Sequence, residues 1–321
     1  MKAQNIVNPY KLLHYYWKEH LKNQGSSIRF YNFWEFATPQ EVWFYRFLIH
    51  RNLINGCKKK VNFYSVLGPL DGIKYRRFGI DIFYTGENIY ADRFHLFQEY
   101  IQKHQFDFSL GFDPIETETY IRHPLWIHYL FEPESSFSDI QIRLEQLSHP
   151  LTDKREQFCS IVAGHDWNGI RTEMIDTLQS IDFISSAGKF RNNTDELAIK
   201  FNNEKHPYIQ QFKFNLCPEN SNAEGYVTEK LFQAIAAGCI PIYWGSNNQP
   251  EKEILNQQAI LFWNQHGDNQ GTIKTIRELH EDETKYIEFI SQPRFLPNAA
   301  EVIWSYFQSL DRKLSEIIQN H

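Results

Sequence analysis

The sequence predicts an α/β fold with two domains, each built on a parallel sheet with helices packed against it. Short apolar stretches alternate with longer amphipathic ones in both halves of the chain, which is the pattern of βαβ units. The chain has 321 residues, of which 42% are hydrophobic, enough for two cores of medium size. We therefore predict two doubly wound α/β domains.

The first domain is predicted to span residues 1–150. Alternation of apolar residues indicates its strands, and helical spacing of apolar residues indicates its helices. The predicted strands are residues 28–34, 61–67, 80–84 and 107–112, and the predicted helices are residues 10–21 and 39–49. Residues 132–157 are polar and show no repeating pattern, so we expect them to contain the linker between the domains.

The second domain is predicted to span residues 151–297. Its predicted strands are residues 158–163, 183–185, 212–216, 240–243 and 259–263, and its predicted helices are residues 170–181, 195–202, 226–237 and 272–289. A last helix, over residues 299–318, has one apolar stripe and mixed charges. This pattern favours packing against the body of the protein over membrane binding.

Residues 212–246 carry the clearest chemistry. They are predicted to form a strand, a loop, a helix and a second strand, which makes a βαβ unit. The first amides of the helix lack intrahelical partners, so a phosphate group suits this position. Tyr226 and Lys230 are expected to share a helix face, with Glu229 beside them. This set suits a sugar nucleotide, although a solvated Glu–Lys pair on an ordinary helix is the alternative that the pattern leaves open.

Four sequence blocks occur in order over roughly residues 60–250. They are YTGEN at residues 84–88, GFD with YIR and PL at residues 111–125, NGIR at residues 168–171, and residues 214–246 with ENS, YVTEK and PIYWGS. Together they resemble the α-1,3-fucosyltransferases of glycosyltransferase family 10, and several blocks in order are more specific than one short motif. Two positions depart from the family pattern: Pro218 replaces a usual aromatic residue, and His123 interrupts the run after Arg122.

The resemblance implies the GT-B architecture, in which two Rossmann-like domains face each other across a cleft. It implies that residues 1–150 bind the acceptor, that residues 151–297 bind GDP-fucose, and that residues 298–321 pack back on the first domain. The implied reaction is inverting transfer of L-fucose from GDP-fucose to a GlcNAc hydroxyl, forming an α-1,3 linkage. The implied acceptor is a LacNAc or Lewis-type oligosaccharide or a lipopolysaccharide. Such a displacement needs a general base, and cations at the departing diphosphate.

The resemblance also implies roles for individual residues. Glu87 is expected to be the general base, and Arg171 and Lys230 are expected to stabilise the diphosphate. Further donor-binding roles are implied for Glu219, Asn220, Ser221, Tyr226 and Glu229. Several of these residues are also ordinary loop formers. A loop carboxylate for Glu87 and a surface side chain for Arg171 are the alternatives left open.

The sequence predicts no cofactor and no catalytic metal site. An Asp-x-Asp pair, HExxH, GxSxG and a P-loop are all absent from it, and its 13 histidines show no ligand spacing. His165 and Asp166 are interpreted as an exposed loop pair rather than as a catalytic base pair. GDP-fucose would be a co-substrate, and stimulation by Mg²⁺ or Mn²⁺ through the pyrophosphate is left open.

Charge and cysteine content limit the partners and the compartment. The formal net charge of −6 argues against nucleic acid, and against an anionic membrane surface, as the main partner. The four cysteines form no CxxC motif, which fits reducing conditions, and Cys217 and Cys239 are expected to be buried.

The sequence contains neither a leader pattern nor an apolar run of membrane-spanning length. We therefore expect a cytoplasmic protein, with peripheral contact with the inner membrane as an option. Eukaryotic members of the resembled family are anchored in the Golgi by a membrane span. Its absence here favours a bacterial-type enzyme or a piece cut from a longer chain.

Two other functions are left open. One is a family relative with α-1,4 or another acceptor or donor specificity, which the sequence does not distinguish. The other is a non-catalytic module that binds nucleotide sugars or glycans. The presence of Glu87, Arg171, Glu229 and Lys230 argues against such a module. The oligomeric state is not predicted.

Overall fold

The chain forms two compact units whose segments are interleaved in the sequence. A computed structural model describes residues 9–74, 78–101, 106–148 and 155–320. Unit 1 comprises residues 1–123, 131–135 and 306–321, and unit 2 comprises residues 124–130 and 136–305. The predicted boundary between residues 150 and 151 lies outside the described residues.

Unit 1 contains a five-stranded parallel sheet whose strands follow chain order. The strands are β1 (Ile28–Tyr31), β2 (Val61–Tyr64), β3 (Ile80–Tyr84), β4 (Phe108–Gly111) and β5 (Tyr120–Arg122). The helices are α1 (Pro9–Lys22), α2 (Trp43–His50), α3 (Asp71–Lys74) and α4 (His95–Ile101). The described strands show no reversal of order, so the doubly wound topology predicted for this domain is not found among them.

The sheet of unit 2 is also parallel, and its strand order is β10-β9-β8-β6-β7. Its strands are β6 (Gln157–Ile161), β7 (Ile184–Ser186), β8 (Phe212–Pro218), β9 (Ile240–Trp244) and β10 (Leu261–Phe262). The chain runs from β6 to β7 and then returns to β8 on the other side of β6. This is the predicted doubly wound topology, and open α/β sheets bind ligands where such a reversal occurs, at the carboxyl ends of the strands.

The helices of unit 2 surround this sheet. They are α5 (Trp126–Leu130), α6 (Phe137–Ser148), α7 (Ile170–Leu178), α8 (Glu196–Ile199), α9 (Lys205–Ile209), α10 (Glu229–Ala236), α11 (Gln270–Glu281) and α12 (Glu283–Ile290). The single helix predicted over residues 272–289 is in fact two helices. The Asp282 carboxylate accepts hydrogen bonds from the amides of Thr284 (3.0 Å) and Lys285 (3.1 Å), and so caps α12.

Helix α6 lies inside residues 132–157, the region predicted to contain the linker and to have no repeating pattern. Residues 137–148 are helical, because Ile140, Leu144 and Leu147 recur at helical spacing and bury one narrow face. The Asp139 carboxylate accepts a hydrogen bond from the Ser136 amide (2.8 Å) at the start of this helix. Because this stripe contains only three residues and lies among polar ones, the sequence did not predict the helix.

The core of unit 1 is largely aromatic. The Phe63 ring stacks on Phe30 at 5.2 Å between centroids and on Phe44 at 5.0 Å. Helix α13 (Ala299–Gln319) begins in unit 2 and ends in unit 1, where its Phe307 ring lies 5.8 Å from Trp43. Packing of this kind buries Phe30, Trp43, Phe44 and Phe47 near the start of the chain.

Candidate functional site

The loop between β8 and α10 is organised by the Glu219 carboxylate, which is completely buried. Its Oε1 accepts a hydrogen bond from the Thr228 amide (2.7 Å). Its Oε2 accepts hydrogen bonds from the Thr228 hydroxyl (2.6 Å) and from the Lys230 ammonium (3.0 Å). One carboxylate therefore fixes both the residue before α10 and a cation in the first turn of that helix.

Gly245, just after β9, makes room for Glu219. Its φ is +143°, and a Cβ at this position would lie 2.7 Å from Glu219 Cγ. A larger residue would therefore displace the Glu219 side chain, besides being strained at this φ. The Glu219 amide also donates a hydrogen bond to the Trp244 carbonyl (2.9 Å). These contacts give a packing reason for the glycine in the PIYWGS block.

Helix α10 begins at Glu229, three residues later than predicted. Thr228 precedes it with extended φ and ψ of −105° and −166°, and the bond from its amide to Glu219 holds it there. Tyr226 therefore lies outside the first turn, and the prediction that it shares a helix face with Lys230 is wrong. The Tyr226 side chain is also buried, and it is not among the residues that line the cavity described next.

A cavity of about 210 Å³ lies at the strand-order reversal between β6 and β8. Residues that follow β6, residues that follow β8 and the first turn of α10 all contribute to its wall. Its polar lining side chains are His165, Arg171, Lys205, Asn215, Asn220, Glu229, Lys230 and Gln233. The structure thus brings together four of the predicted site residues: Arg171, Asn220, Glu229 and Lys230.

The Lys230 ammonium and the Glu229 carboxylate both lie at the cavity wall, where the ion-pair partner of Lys230 is Glu219. Burial acts to lower the pKa of Lys230, but the nearby Glu219 and Glu229 carboxylates outweigh it and raise this pKa. Burial acts to raise the pKa of Glu229, but the charges of Lys230 and Lys205 and the hydrogen bonds to the carboxylate together outweigh burial and lower this pKa. Both groups are therefore ionised at neutral pH. Such a pair offers a cation to an anion and a hydrogen-bond acceptor to hydroxyl groups.

Arg171 places a buried guanidinium at the same cavity. Its Nη2 donates a hydrogen bond to Asn220 Oδ1 (2.9 Å), and its Nη1 donates to the His165 carbonyl. Burial lowers the pKa of Arg171, although arginine keeps its charge in proteins at any ordinary pH. Through these two bonds, Arg171 of α7 contacts the loop after β6 and the loop after β8, so one side chain links both sides of the cavity.

Asp166 has a structural task at the start of α7. Its carboxylate accepts hydrogen bonds from the Arg171 amide (3.1 Å) and the Thr172 amide (2.8 Å). These bonds satisfy two amides in the first turn of the helix. The structure thus gives Asp166 the part of a helix cap. His165 and Asp166 are half-buried rather than exposed as predicted, and His165 lines the cavity.

Besides Tyr226, three of the predicted site residues lie elsewhere than in the cavity wall. Ser221 is half-buried in the loop after β8 and does not line the cavity, and Glu219 lies behind it, in contact with Lys230. Glu87 belongs to unit 1 and follows β3, as predicted. The Thr85 hydroxyl accepts a hydrogen bond from the Glu87 amide (3.0 Å) and donates one to its carbonyl (2.8 Å). The catalytic role of Glu87 stays a prediction.

Four polar residues of the cavity wall were not predicted: His165, Lys205, Asn215 and Gln233. Asn215 had a detectable signal, because it is a polar residue in the buried part of strand β8. Its Oδ1 accepts a hydrogen bond from the buried Ser160 hydroxyl (2.8 Å). Lys205 had no such signal, since only the fold brings α9 to the cavity.

In the described parts of the chain, no group of three or more His, Cys, Asp or Glu residues could hold a metal ion.

Replacing Glu219 by glutamine is expected to destabilise unit 2. Glutamine keeps one acceptor oxygen but places an amide donor against the Lys230 ammonium, where no hydrogen bond can form. Hydrogen bonds to charged groups contribute about 1.5–3 kcal/mol each, so we expect the free energy of unfolding to fall by about that amount. Urea unfolding measures the change, and Glu224→Gln, an exposed carboxylate in the same loop, is the control. Equal stability of the two variants would contradict the assigned role of Glu219.

Two family models match the chain. The model described as "Alpha-(1,3)-fucosyltransferase FucT N-terminal domain" matches residues 28–129. The model described as "Glycosyltransferase family 10 (fucosyltransferase) C-term" matches residues 151–306. The second match contains all the residues that line the cavity.

Individual relatives are more distant. The α-(1,3)-fucosyltransferase FucT of Helicobacter pylori is 28% identical over 235 residues, which are 65% of this chain and 46% of that protein. An α-(1,4)-fucosyltransferase of Arabidopsis thaliana is 31% identical over 90 residues, 28% of this chain and 22% of that protein. The chain thus matches less than half of the length of these relatives.

A solved structure shows the same fold. A crystal structure of an α1,3-fucosyltransferase with GDP-fucose matches with a TM-score of 0.56 and 23% identity, over 88% of this chain and 89% of that one. This likeness confirms the predicted α/β fold class.

Proposed function

The chain belongs to glycosyltransferase family 10, the fucosyltransferases, and we propose on this premise that it transfers L-fucose from GDP-fucose to a GlcNAc hydroxyl. The proposed product has an α-1,3 linkage, and the proposed acceptor is a LacNAc or Lewis-type oligosaccharide or a lipopolysaccharide. The observation that supports this most is the cavity between β6 and β8. Its wall contains the cations of Arg171 and Lys230 and the carboxylate of Glu229.

The proposed donor contacts follow from the charges of the cavity wall. The diphosphate of GDP-fucose is the anionic part of the donor, so it is assigned to Lys230 and Arg171. Glu229 is assigned to hydroxyl groups of the ribose or the fucose, because an ionised carboxylate only accepts hydrogen bonds. Asn220 is assigned to the guanosine end. No donor contact is assigned to Tyr226, because it is not among the residues that line the cavity.

The proposed reaction is a single displacement that inverts the anomeric carbon of fucose. The acceptor oxygen bonds to that carbon while the bond from the carbon to the β-phosphate oxygen breaks, and Glu87 takes the proton of the acceptor hydroxyl. GDP leaves with the bonding electrons. The fixed cations Lys230 and Arg171 stabilise the negative charge that develops on it. Because Glu219 and Asn220 already hold these cations, little reorganisation is needed when the charge appears.

Turnover is expected to continue in excess EDTA. Three side-chain cations, Arg171, Lys205 and Lys230, line the cavity and can neutralise a diphosphate without a metal ion. The measurement is the rate of acceptor-dependent GDP release with and without EDTA, followed by addition of Mg²⁺ or Mn²⁺. A moderate stimulation by either metal is compatible with the proposal. Complete loss of activity in EDTA, restored by metal, would show that a metal takes the place assigned to these cations.

Two isomeric acceptors test the function and the linkage together. LacNAc carries galactose on O4 of GlcNAc and leaves O3 free, whereas its isomer carries galactose on O3 and leaves O4 free. We expect GDP release from GDP-fucose with LacNAc, and an α-1,3 linkage in the product by NMR. Transfer to the isomer alone would indicate an α-1,4 enzyme, the specificity named for the Arabidopsis relative. GDP-fucose binding without transfer to any acceptor of a broad panel would indicate a non-catalytic module.

The proposed location is the cytoplasm, with peripheral contact with the inner membrane. In the described segments, no helix combines the length and the apolar character that crossing a bilayer requires. A peripheral position would bring the site close to acceptors carried on lipid. Fractionation of cells that produce the full chain tests this proposal, and release of the protein from membranes by salt is the expected result.

A further inference from the structure

Helix α1 exposes a stripe of large apolar side chains. Tyr10, Leu13, Trp17 and Leu21 have exposed fractions of 82%, 66%, 59% and 44%. They are spaced by three and four residues, so they share one face of the helix. Contiguous apolar side chains on a protein surface usually mark an interaction site. This face is therefore expected to bind a partner.

The opposite face of α1 fixes the helix to unit 1. Glu19 is buried there, and its Oε2 accepts a hydrogen bond from the Asn32 amide (3.2 Å). The Tyr15 hydroxyl donates a hydrogen bond to Asn32 Oδ1 (2.5 Å). Just after the helix, the Asn23 side chain accepts a hydrogen bond from the Phe30 amide and donates one to its carbonyl, both at 2.8 Å. The helix is thus attached through one face, and the apolar stripe points away from that attachment.

The charged residues that α1 itself contributes next to the stripe are basic. Lys11 and Lys18 are exposed and, by helical geometry, lie along one edge of it, and His20 lies near the other edge. The acidic residue of α1 is Glu19, which is on the buried face. The outward face of α1 therefore carries positive charge and no carboxylate, although the whole chain has a net charge of −6.

We propose that α1 binds an anionic lipid bilayer through this face. The apolar stripe would enter the boundary between headgroups and acyl chains, where tryptophan and tyrosine are favoured, and the lysines would reach the headgroup phosphates. A second copy of the chain fits less well. A two-fold contact through this face would bring the lysines of two copies together, with no exposed carboxylate of α1 to pair with them.

The net charge of −6 is an average over the whole chain, whereas the exposed face of α1 carries local positive charge from Lys11 and Lys18. This inference concerns α1 and does not rest on the proposed transfer reaction. It does deepen the proposed peripheral location, because it names the surface that would make the contact.

Vesicle flotation of the full chain tests the proposal. We expect binding to vesicles of equimolar phosphatidylcholine and phosphatidylglycerol, and much weaker binding to phosphatidylcholine alone. The double variant Leu13→Ser/Trp17→Ser should bind the anionic vesicles about tenfold more weakly or worse, since it removes two apolar anchors. Lys11→Gln and Lys18→Gln should each weaken binding about fivefold, and salt should weaken binding of the wild type.

The matched control is Phe183→Ser/Ile199→Ser, which removes two exposed apolar side chains of unit 2 (62% and 77% exposed) and should bind like the wild type. No binding by the wild type, or equal binding by the two double variants, overturns the proposal. A dimer that forms without vesicles, and that Leu13→Ser/Trp17→Ser abolishes in sedimentation velocity, also overturns it.

Lysine variants keep the test decisive if the double variant fails to fold by circular dichroism, because Lys11→Gln and Lys18→Gln change only exposed atoms. Unchanged vesicle binding in the variant with both lysines replaced would then count against the proposal. GDP release with a soluble acceptor separates this inference from the proposed function. A variant of α1 that loses vesicle binding but still transfers fucose supports the inference. A wild-type protein that binds vesicles but transfers no fucose contradicts only the proposed function.

Discussion

Replacing Glu87 by glutamine is expected to lower the rate of fucose transfer by about 10²–10⁴-fold, the usual contribution of a general base. Glutamine has the size of glutamate but cannot take the proton of the acceptor hydroxyl. The affinity for GDP-fucose should change little, because the residues assigned to the donor belong to unit 2 and Glu87 belongs to unit 1. The loss should therefore appear in kcat, with GDP-fucose binding preserved in calorimetry.

Glu116→Gln is the matched control for the Glu87 variant. Glu116 is an exposed carboxylate of unit 1 that forms a surface ion pair with Arg312 at 2.9 Å. Its replacement should leave transfer within a few-fold of the wild type, since exposed ion pairs contribute little. If Glu87→Gln also transfers fucose within a few-fold of the wild type at every pH tested, Glu87 is not the base.

Replacing Lys230 by alanine is expected to damage both donor binding and transfer. A hydrogen bond to a charged group contributes about 1.5–3 kcal/mol, so GDP affinity should fall by about 10- to 150-fold. The variant also leaves the buried Glu219 carboxylate without its ammonium partner, next to the proposed diphosphate position. Transfer should fall further than binding, by about 10²–10³-fold in kcat, because the negative charge on GDP grows in the transition state.

Lys274→Ala is the control for this variant, since Lys274 is an exposed lysine of unit 2 in a surface pair with Glu278. Its GDP affinity should equal that of the wild type. Urea unfolding of both variants shows whether the fold is kept. An unchanged GDP affinity in a folded Lys230→Ala protein would remove Lys230 from the donor site.

Much of the fold could be predicted because its signals are local. The alternation of apolar residues gave β3 with its exact bounds, and helical spacing gave α1 and α13 within two residues. Cys217 and Cys239 were predicted to be buried from the apolar runs around them, and both are. Helix α6 was missed because its apolar stripe is only three residues wide within a polar sequence.

The start of α10 could not be predicted from local pattern alone. The residues from Tyr226 onward have helical spacing, yet the helix begins only after Thr228. The cause lies nine residues upstream, where the Glu219 carboxylate binds the Thr228 amide and hydroxyl. The sequence predicts Glu219 as a donor contact or a loop former; its bonds to Thr228 show that it shapes the loop, and its donor contact stays a prediction. The same carboxylate also holds Lys230 at the cavity.

The order of the strands in the sheet determines which residues line the cavity, and a sequence does not show this order directly. Arg171, Asn220 and Lys230 come from separate elements, and they meet because β8 returns beside β6. The resemblance to a family supplied these residues as candidates, and the topology explains why they are neighbours. The exposure of the apolar stripe on α1 is equally a result of tertiary structure. The helical spacing of its apolar residues was visible, but the face that packs on unit 1 was not.

A crystal structure of the full chain with GDP tests the central claim, that the cavity between β6 and β8 is the donor diphosphate site, most directly. We expect the diphosphate in this cavity, with its oxygens within hydrogen-bond distance of the Lys230 ammonium and the Arg171 guanidinium. We also expect Glu229 near the ribose or the position of the fucose. A diphosphate bound elsewhere, with Arg171 and Lys230 free of contact with it, would contradict the claim.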